Sequence, residues 1–327
     1  MQYRSTIGAA LAAAALMAAQ FAVRPAAAQD FSGSPIRMIV GVAAGGATDV
    51  TARLIAQRLS ASLNTNVYVE NKPGGAFAPA YRELMNGAPD GHTLFMISAA
   101  IVVNQPAQKD YPFDIRAMTA VTEVSEGPFI LVGKNSLGFK NVTDLVNYGK
   151  SNPGKLTFGS GGGSTSSLAL AAELLRISAG ITIVNVPYKG AAEALNDLLG
   201  GRVDAMFDAM PVQVGQVKAG NVTGLAVTSA ERAQALPDVP TMAESGFKDF
   251  VVSNYFGLIA PPHTPPAIAK KLRDEVAKVV AAPDIVDLFG KQGMKPVAGE
   301  PAQFASLIDA DLARWSAVIK KAGIAPQ

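Results

Sequence analysis

Two glycine-rich turns hold the residues best placed to do chemistry. The first is Gly45-Gly46-Ala47-Thr48-Asp49, within IVGVAAGGATDVTARLIAQRLSASL (Ile39–Leu63). The second is Gly159-Ser160-Gly161-Gly162-Gly163-Ser164-Thr165-Ser166, within LTFGSGGGSTSSLALAAELL (Leu156–Leu175). The chemistry they suggest is capture of an anion. Each reads as a strand, a tight turn and an amphipathic helix, and the amides of Gly45, Gly46 and Ala47 stand ahead of a helix expected to start near Thr48 or Asp49. The first N–H groups of a helix lack intrahelical acceptors and lie at its positive end. The Thr48 hydroxyl adds a donor. In the second turn Gly161, Gly162 and Gly163 let the backbone form a concave nest of N–H groups, and Ser160, Ser164 and Thr165 add hydroxyls. Simpler roles compete: Thr48 or Asp49 could only cap the first helix, and the second turn could be a linker. A strand directly before it and an amphipathic helix directly after it argue against a linker. Neither turn is a G-x-G-x-x-G or Walker A loop. Two such units suggest one ligand held between two lobes.

Other chemistry is poorly supplied. The chain has no cysteine, so disulfides, thiolate metal sites and thiol nucleophiles are excluded. Its two histidines, His92 and His263, lie in turns without metal-ligand spacing, and no G-x-S-x-G elbow accompanies them. No cofactor, metal or catalytic residue is therefore expected. Secondary candidates for the cleft are Tyr188 and Lys189 in Asn185–Gly190, and Asp208, which follows a strand and precedes Ala209-Met210-Pro211. Asp208 could orient water, accept from a ligand amine or hydroxyl, or cap a helix. Ser98 and Ala99 end a strand and could line the cleft.

These residues need a scaffold, and the chain alternates strand and helix nearly throughout. Strands are expected at Ile36–Val42, Val67–Glu70, Thr93–Ile97 and Ala120–Val124, with helices at Val50–Leu63 and Phe77–Asn86. A second block has strands Phe129–Val132, Leu156–Phe158, Ile181–Val186, Ala205–Phe207 and Gly224–Thr228, and helices Val142–Tyr148, Ser166–Ala179, Ala191–Leu199 and Val212–Ala219. A third block opens with the strand Val251–Ala260 and continues with helices Pro266–Ala281, Ile285–Gln292 and Ala302–Lys321. Ile55, Leu59 and Leu63 recur every four residues and give an apolar stripe. The alternation implies βαβ units. The expected fold class is α/β with two lobes, each a mainly parallel sheet flanked by helices, and a ligand cleft between them. Residues 29–127 plus 251–327 make one lobe and 128–250 the other. Ligand faces lie at the carboxyl ends of the strands, where both glycine turns fall.

The N-terminus reads as a secretory leader: Arg4, the apolar run Ile7–Val23, then Ala26-Ala27-Ala28 as a small-residue cleavage site before Gln29. The run is short for a span of ~20 apolar residues and Gln20 interrupts it, so no membrane insertion is expected after processing. The leader, 1–28, contains Arg4 and Arg24 and no acidic residue. Its loss cuts the 28 basic side chains to 26, equal to the 26 acidic ones. A neutral mature chain argues against nucleic-acid binding and leaves any anion site to local amides and hydroxyls.

Several segments resemble the solute receptors of tripartite tricarboxylate transporters, the Bug-type family: Val42–Asp49, Val69-Glu70-Asn71-Lys72-Pro73-Gly74-Gly75, Pro89-Asp90-Gly91-His92-Thr93-Leu94, Pro153-Gly154-Lys155-Leu156, Val186-Pro187-Tyr188-Lys189-Gly190, Leu225–Ser229, Pro237–Thr241 and Phe256–Pro261. They keep the family's order over nearly the whole mature chain. The resemblance implies a periplasmic, two-lobed, non-enzymatic binding protein for small carboxylates, such as di- and tricarboxylates, acidic amino acids or aromatic acids. It implies a grip by the loops matching Gly45–Asp49 and Ser160–Thr165, adds weight to Ser98 and Ala99, and implies membrane transporter subunits as partners of a monomeric receptor. A sensory receptor serving a signalling partner, and a secreted hydrolase, are the alternatives. Gly41-Val42 stand where the family often has Pro-Phe, removing an aromatic wall, and Ser167-Leu168 stand near its usual His-Leu.

Overall fold

Strands and helices alternate in space as they do along the chain, and they build two sheets joined by one strand. The computed structural model describes Phe31 and residues 34–45, 47–161, 166–188 and 190–324. The expected leader, 1–28, lies outside the described residues. The first sheet has the order β2-β1-β3-β9-β4-β10, from β1 (Ile36–Val40), β2 (Val67–Asn71), β3 (Thr93–Ser98), β4 (Thr119–Gly133), β9 (Ser253–Ala260) and β10 (Lys295–Pro296). The second has the order β6-β5-β7-β4-β8, from β5 (Leu156–Gly161), β6 (Ile183–Tyr188), β7 (Ala205–Ala209), β8 (Thr223–Val227) and the distal end of β4.

Parallel pairing holds the outer trios, β2-β1-β3 and β6-β5-β7. The crossing strands run the other way. β9 is antiparallel to β3 and β4, and β4 is antiparallel to β7 and β8. The sheets are thus mixed, and strand–helix alternation reveals only their parallel part. β4 was expected as two strands, Ala120–Val124 and Phe129–Val132, because Gly127-Pro128 reads as a break. It is one strand, with register shifts at Ala120/Thr122 and Glu123/Ser125, pairing with β9 up to Pro128 and with β7 from Phe129.

Helices cover both faces of the first sheet. Met38, Val40, Leu94 and Met96 meet Ile55 and Leu59 of α1 (Ala47–Leu63) and Leu272 and Val276 of α8 (Pro266–Val280). Ile39, Phe95 and Ile97 point the other way, toward Tyr81 and Leu84 of α2 (Ala78–Met85) and Phe304 and Ile308 of α10 (Pro301–Ala322). The two-residue alternation of a strand buried on both faces produces this split. The second sheet is treated alike: Phe129, Leu131, Phe158 and Phe207 pack with α4 (Val142–Ser151) and α5 (Ser167–Ala179), while Ile130, Val132 and Met206 pack with α6 (Ala191–Leu199).

α10 belongs to both cores. It starts with a capping box between Glu300 and Gln303 and ends at Gly323, in the left-handed region at φ 70°. Phe304, Ile308 and Leu312 join the first sheet's core, whereas Trp315, Val318 and Ile319 join Phe129, Phe207 and Phe250 in the second. α3 (Ala99–Ala107) has no counterpart among the expected helices. Its β-branched Ile101, Val102 and Val103 and its internal Pro106 depress helix propensity, but all three apolar residues are buried and tertiary packing prevails.

Candidate functional site

The carboxyl ends of β1 and β3 sit side by side, since Val40 pairs with Met96. From them lead two helices, α1 after the Gly45 loop and α3 after Ser98. Gly45 has a φ of 90°, in the region that glycine adopts without strain. Ala47 is exposed and opens α1, whereas Thr48 and Asp49 are buried. Gly46 lies outside the described residues.

Asp49 fastens the loop. Its Oδ2 accepts from the Gly45 amide at 2.9 Å and from Arg53 Nε at 3.0 Å, and its Oδ1 accepts from Asn71 Nδ2 at 2.9 Å. Asn71 Nδ2 also donates to the Val42 carbonyl at 3.0 Å, and its Oδ1 accepts from Arg53 at 2.9 Å. Asn71 and Arg53 were not among the candidate residues. Their signals were Asn71's place at the end of β2 and the i,i+4 spacing of Asp49 and Arg53. Burial alone would push the Asp49 carboxyl up, but hydrogen bonds from Arg53, Gly45 and Asn71 outweigh it and hold the acid below its ordinary value of 3.8. Its stabilising effect is present above that value and is lost as the pH falls through the lower folded one. Asp49→Ala should cost about 1–3 kcal/mol and flatten the acid limb of stability. Urea titrations of both proteins between pH about 2 and 6 would check this; parallel acid limbs would remove Asp49 from the clamp.

Ser98 is buried and stands at the N-cap of α3, yet its hydroxyl makes no capping bond. Ala99 follows it, also buried. An uncapped helix start with an unused hydroxyl thus follows the strand beside the one that leads into the Gly45 loop.

In the second sheet the carboxyl ends of β5, β6 and β7 share one edge. Gly161 pairs with Tyr188, and β5 and β7 are in register at Gly159 and Met206, two residues before Asp208. Ser160 is buried and hydrogen-bonds Asn185 Oδ1, so Asn185 is a further residue that holds this strand end. A Cβ at Gly161 would stand 2.6 Å from both Cα and N of Ala191. Only glycine lets β5 run this close to the start of α6. Gly162, Gly163, Ser164, Thr165 and Lys189 lie outside the described residues. Ser166 caps α5, accepting from the Ala169 amide at 3.2 Å.

Tyr188 and Asp208 have internal partners. The Tyr188 hydroxyl donates to Asp197 Oδ2 at 2.8 Å; burial and then this bond raise its pKa. Asp208 is 1% exposed and accepts from Gln213 Nε2 at 2.7 Å and from the Ala209 amide at 2.8 Å. Burial raises its pKa despite both bonds. The histidines stand at the wrong edge for chemistry here. His92 precedes β3, whose other end is Ser98, and His263 follows β9, which is antiparallel to β3. Among the described residues no cluster of His, Cys, Asp and Glu could hold a metal, and no helix is long and apolar enough to cross a membrane.

The model of the tripartite tricarboxylate transporter family receptor matches residues 51–324. The chain belongs to this receptor family. The receptor is similar to solved periplasmic binding proteins. BugD is 30% identical, with a TM-score of 0.74 over 90% of this chain and 99% of that one. An R. palustris protein solved with adipate is 31% identical, with a TM-score of 0.78 over 91% of this chain and 100% of that one. MatC of Rhodopseudomonas palustris, solved with bound malate, is 27% identical, with a TM-score of 0.74 over 88% of this chain and 100% of that one. The receptor shares their two-lobed α/β fold and is a solute-binding protein, not an enzyme.

Proposed function

We propose that this receptor captures a small carboxylate in the periplasm and delivers it to the membrane subunits of a tripartite transporter. The observation that carries this reading is the pair of helix starts at the ends of β1 and β3, where the Ser98 hydroxyl is not used as a cap. Backbone dipoles and hydroxyls hold a carboxylate well in a site closed to water. From the first lobe the donors are the amides of Gly46 and Ala47 and the hydroxyls of Thr48 and Ser98, with Ala99 beside them and Gly45, whose amide is held by Asp49, shaping the turn. From the second lobe we assign Ser160, Gly161 and the following residues Gly162, Gly163, Ser164 and Thr165 to the ligand. Asp49 fastens the first loop, and Tyr188 and Asp208 brace the ends of β6 and β7 beside the second through the internal bonds described above. The lobes are 29–127 with 251–327, and 128–250. Hinge closure about the crossing strands buries the ligand. The adipate and malate of the two R. palustris proteins support an aliphatic dicarboxylate as the first class to try. The leader is removed before Gln29 and the mature receptor is a monomer.

Native mass spectrometry of freshly purified periplasmic protein tests this reading. The expected spectrum shows one chain starting at Gln29, with a bound mass that heat or denaturant releases as a small organic acid. A released neutral sugar, or a dimer as the main species, would contradict it.

A further inference from the structure

Where α10 crosses from one core to the other, two acids lie buried, Asp311 paired with Arg314 and Glu123 without an ion pair among the described residues. Glu123 on β4 is 8% exposed and Asp311 on α10 is 4% exposed. Tyr255 of β9, fully buried, lies close to both acids. Glu123 Oε1, the Ser125 hydroxyl and the Tyr255 hydroxyl have no hydrogen-bond partner among the described residues. Tyr255 approaches Asp311 and lowers its acid pKa without completing a hydrogen bond. A buried polar group left unpaired is costly, and an unpaired buried carboxylate far more so.

The position of this cluster gives it a mechanical meaning. Asp311 stands between Ile308 and Leu312, which pack on the first sheet's core, and Trp315, which packs on the second's. Glu123 stands a few residues before Pro128, the last position at which β4 pairs with β9. The seam therefore touches the strands about which the lobes must turn.

We propose that Glu123 and Asp311 form a proton-operated latch: with Glu123 protonated the seam is dry and α10 is tight on β4 and β9, and when Glu123 gives its proton to water the seam takes up solvent and α10 loosens from the hinge.

The charges facing the pair fit this assignment. Burial, then Glu126 on the same strand, raise the Glu123 acid; Lys295 of β10 opposes them and Asp311 adds to them, for a value of about 8. Lys295 is already paired with Glu126 at 2.7 Å. Asp311 is raised by burial and lowered by Arg314, whose Nη1 lies 3.2 Å away, and by Tyr255. Tyr255 is raised by burial and by both acids, with Tyr81 of α2 a small further contribution. Glu123 is thus held protonated up to about pH 8, while Arg314 opposes the upward push that burial exerts on Asp311. A raised carboxyl stabilises the fold fully below its unfolded value near 4.5, and that contribution is lost as the pH climbs to about 8.

Amide hydrogen exchange on the ligand-free full chain reads the latch directly. After correction for intrinsic exchange, protection of α10 beyond Asp311 should fall about tenfold per pH unit from pH about 6 until it levels off near 8, roughly a hundredfold in all, as one proton released on opening requires. Glu123→Gln should hold protection constant over the same range. Asp311→Asn should move the midpoint to lower pH, because the neighbouring negative charge is gone. The melting temperature of the unaltered protein supplies a reading independent of either variant: it should decline from pH about 4.5 to about 8 and then level off. Identical pH profiles for the unaltered protein and Glu123→Gln would overturn the proposal. So would an unmoved midpoint in Asp311→Asn, or a melting temperature that rises through this range.

Discussion

Gly161→Ala is expected to disturb the second loop more than any hydroxyl truncation. The added methyl would meet backbone atoms of Ala191 at 2.6 Å, and backbone cannot rotate aside as a side chain can. Either β5 or the start of α6 must move. Overpacking of this kind costs about 1–3 kcal/mol. The displacement falls on the strand end that leads into residues 162–165, proposed above to meet the ligand, so ligand affinity should drop by at least about tenfold, or 1.4 kcal/mol. Ser160→Ala provides the contrast. It removes one hydrogen bond to Asn185 and no space, and should cost about 0.5–1.5 kcal/mol. Urea denaturation and calorimetric titration of both variants are the measurements. A Gly161→Ala protein with unchanged stability and affinity would mean that the close approach of β5 and α6 plays no part in the site.

Trp315→Ala should produce the largest loss of stability, about 3–5 kcal/mol. The side chain is 1% exposed and joins Phe129, Phe207 and Phe250 from elements of the second sheet, although it is carried by a helix whose first half packs on the first. Its loss leaves a cavity and frees the distal half of α10. Trp315→Phe should be milder, because it keeps an aromatic ring in the site and leaves a smaller cavity, and because Trp315 Nε1 has no hydrogen-bond partner to lose. Chemical denaturation would compare the two. Equal effects would show that the indole nitrogen matters after all, and a small effect of Trp315→Ala would detach α10 from the second core.

Much of this architecture was legible because it rests on local pattern. The strand before each glycine turn and the helix after it follow from apolar periodicity and turn residues. What escaped depends on distant partners. α3 looks a poor helix until Ile101, Val102 and Val103 are seen to be buried. β4 looks like two strands until Pro128, which has no amide to donate, is found paired at the crossing with β9. The same limit applies at the site. The first loop could be placed at a strand end from its glycines. That Asp49 is clamped by Asn71 was not visible, because the two residues meet only when β2 lies beside β1. Tyr188 was a reasonable cleft candidate by position, but its hydroxyl is committed to Asp197 on α6. Polar residues at a strand end are easy to find, and their hydrogen-bond partners, which decide their role, come from elsewhere in the chain.

Calorimetric titration of the purified receptor, stripped of any co-purified ligand, tests the central claim most directly. The panel should hold aliphatic dicarboxylates such as adipate and malate, tricarboxylates, acidic amino acids, aromatic acids and neutral sugars. The account predicts that one class of carboxylate binds at one site per chain, that at a hundredfold excess over Kd it stabilises the folded state by about 2.7 kcal/mol, and that the acid is recovered unchanged. Binding of a neutral sugar with no response to any carboxylate would contradict it.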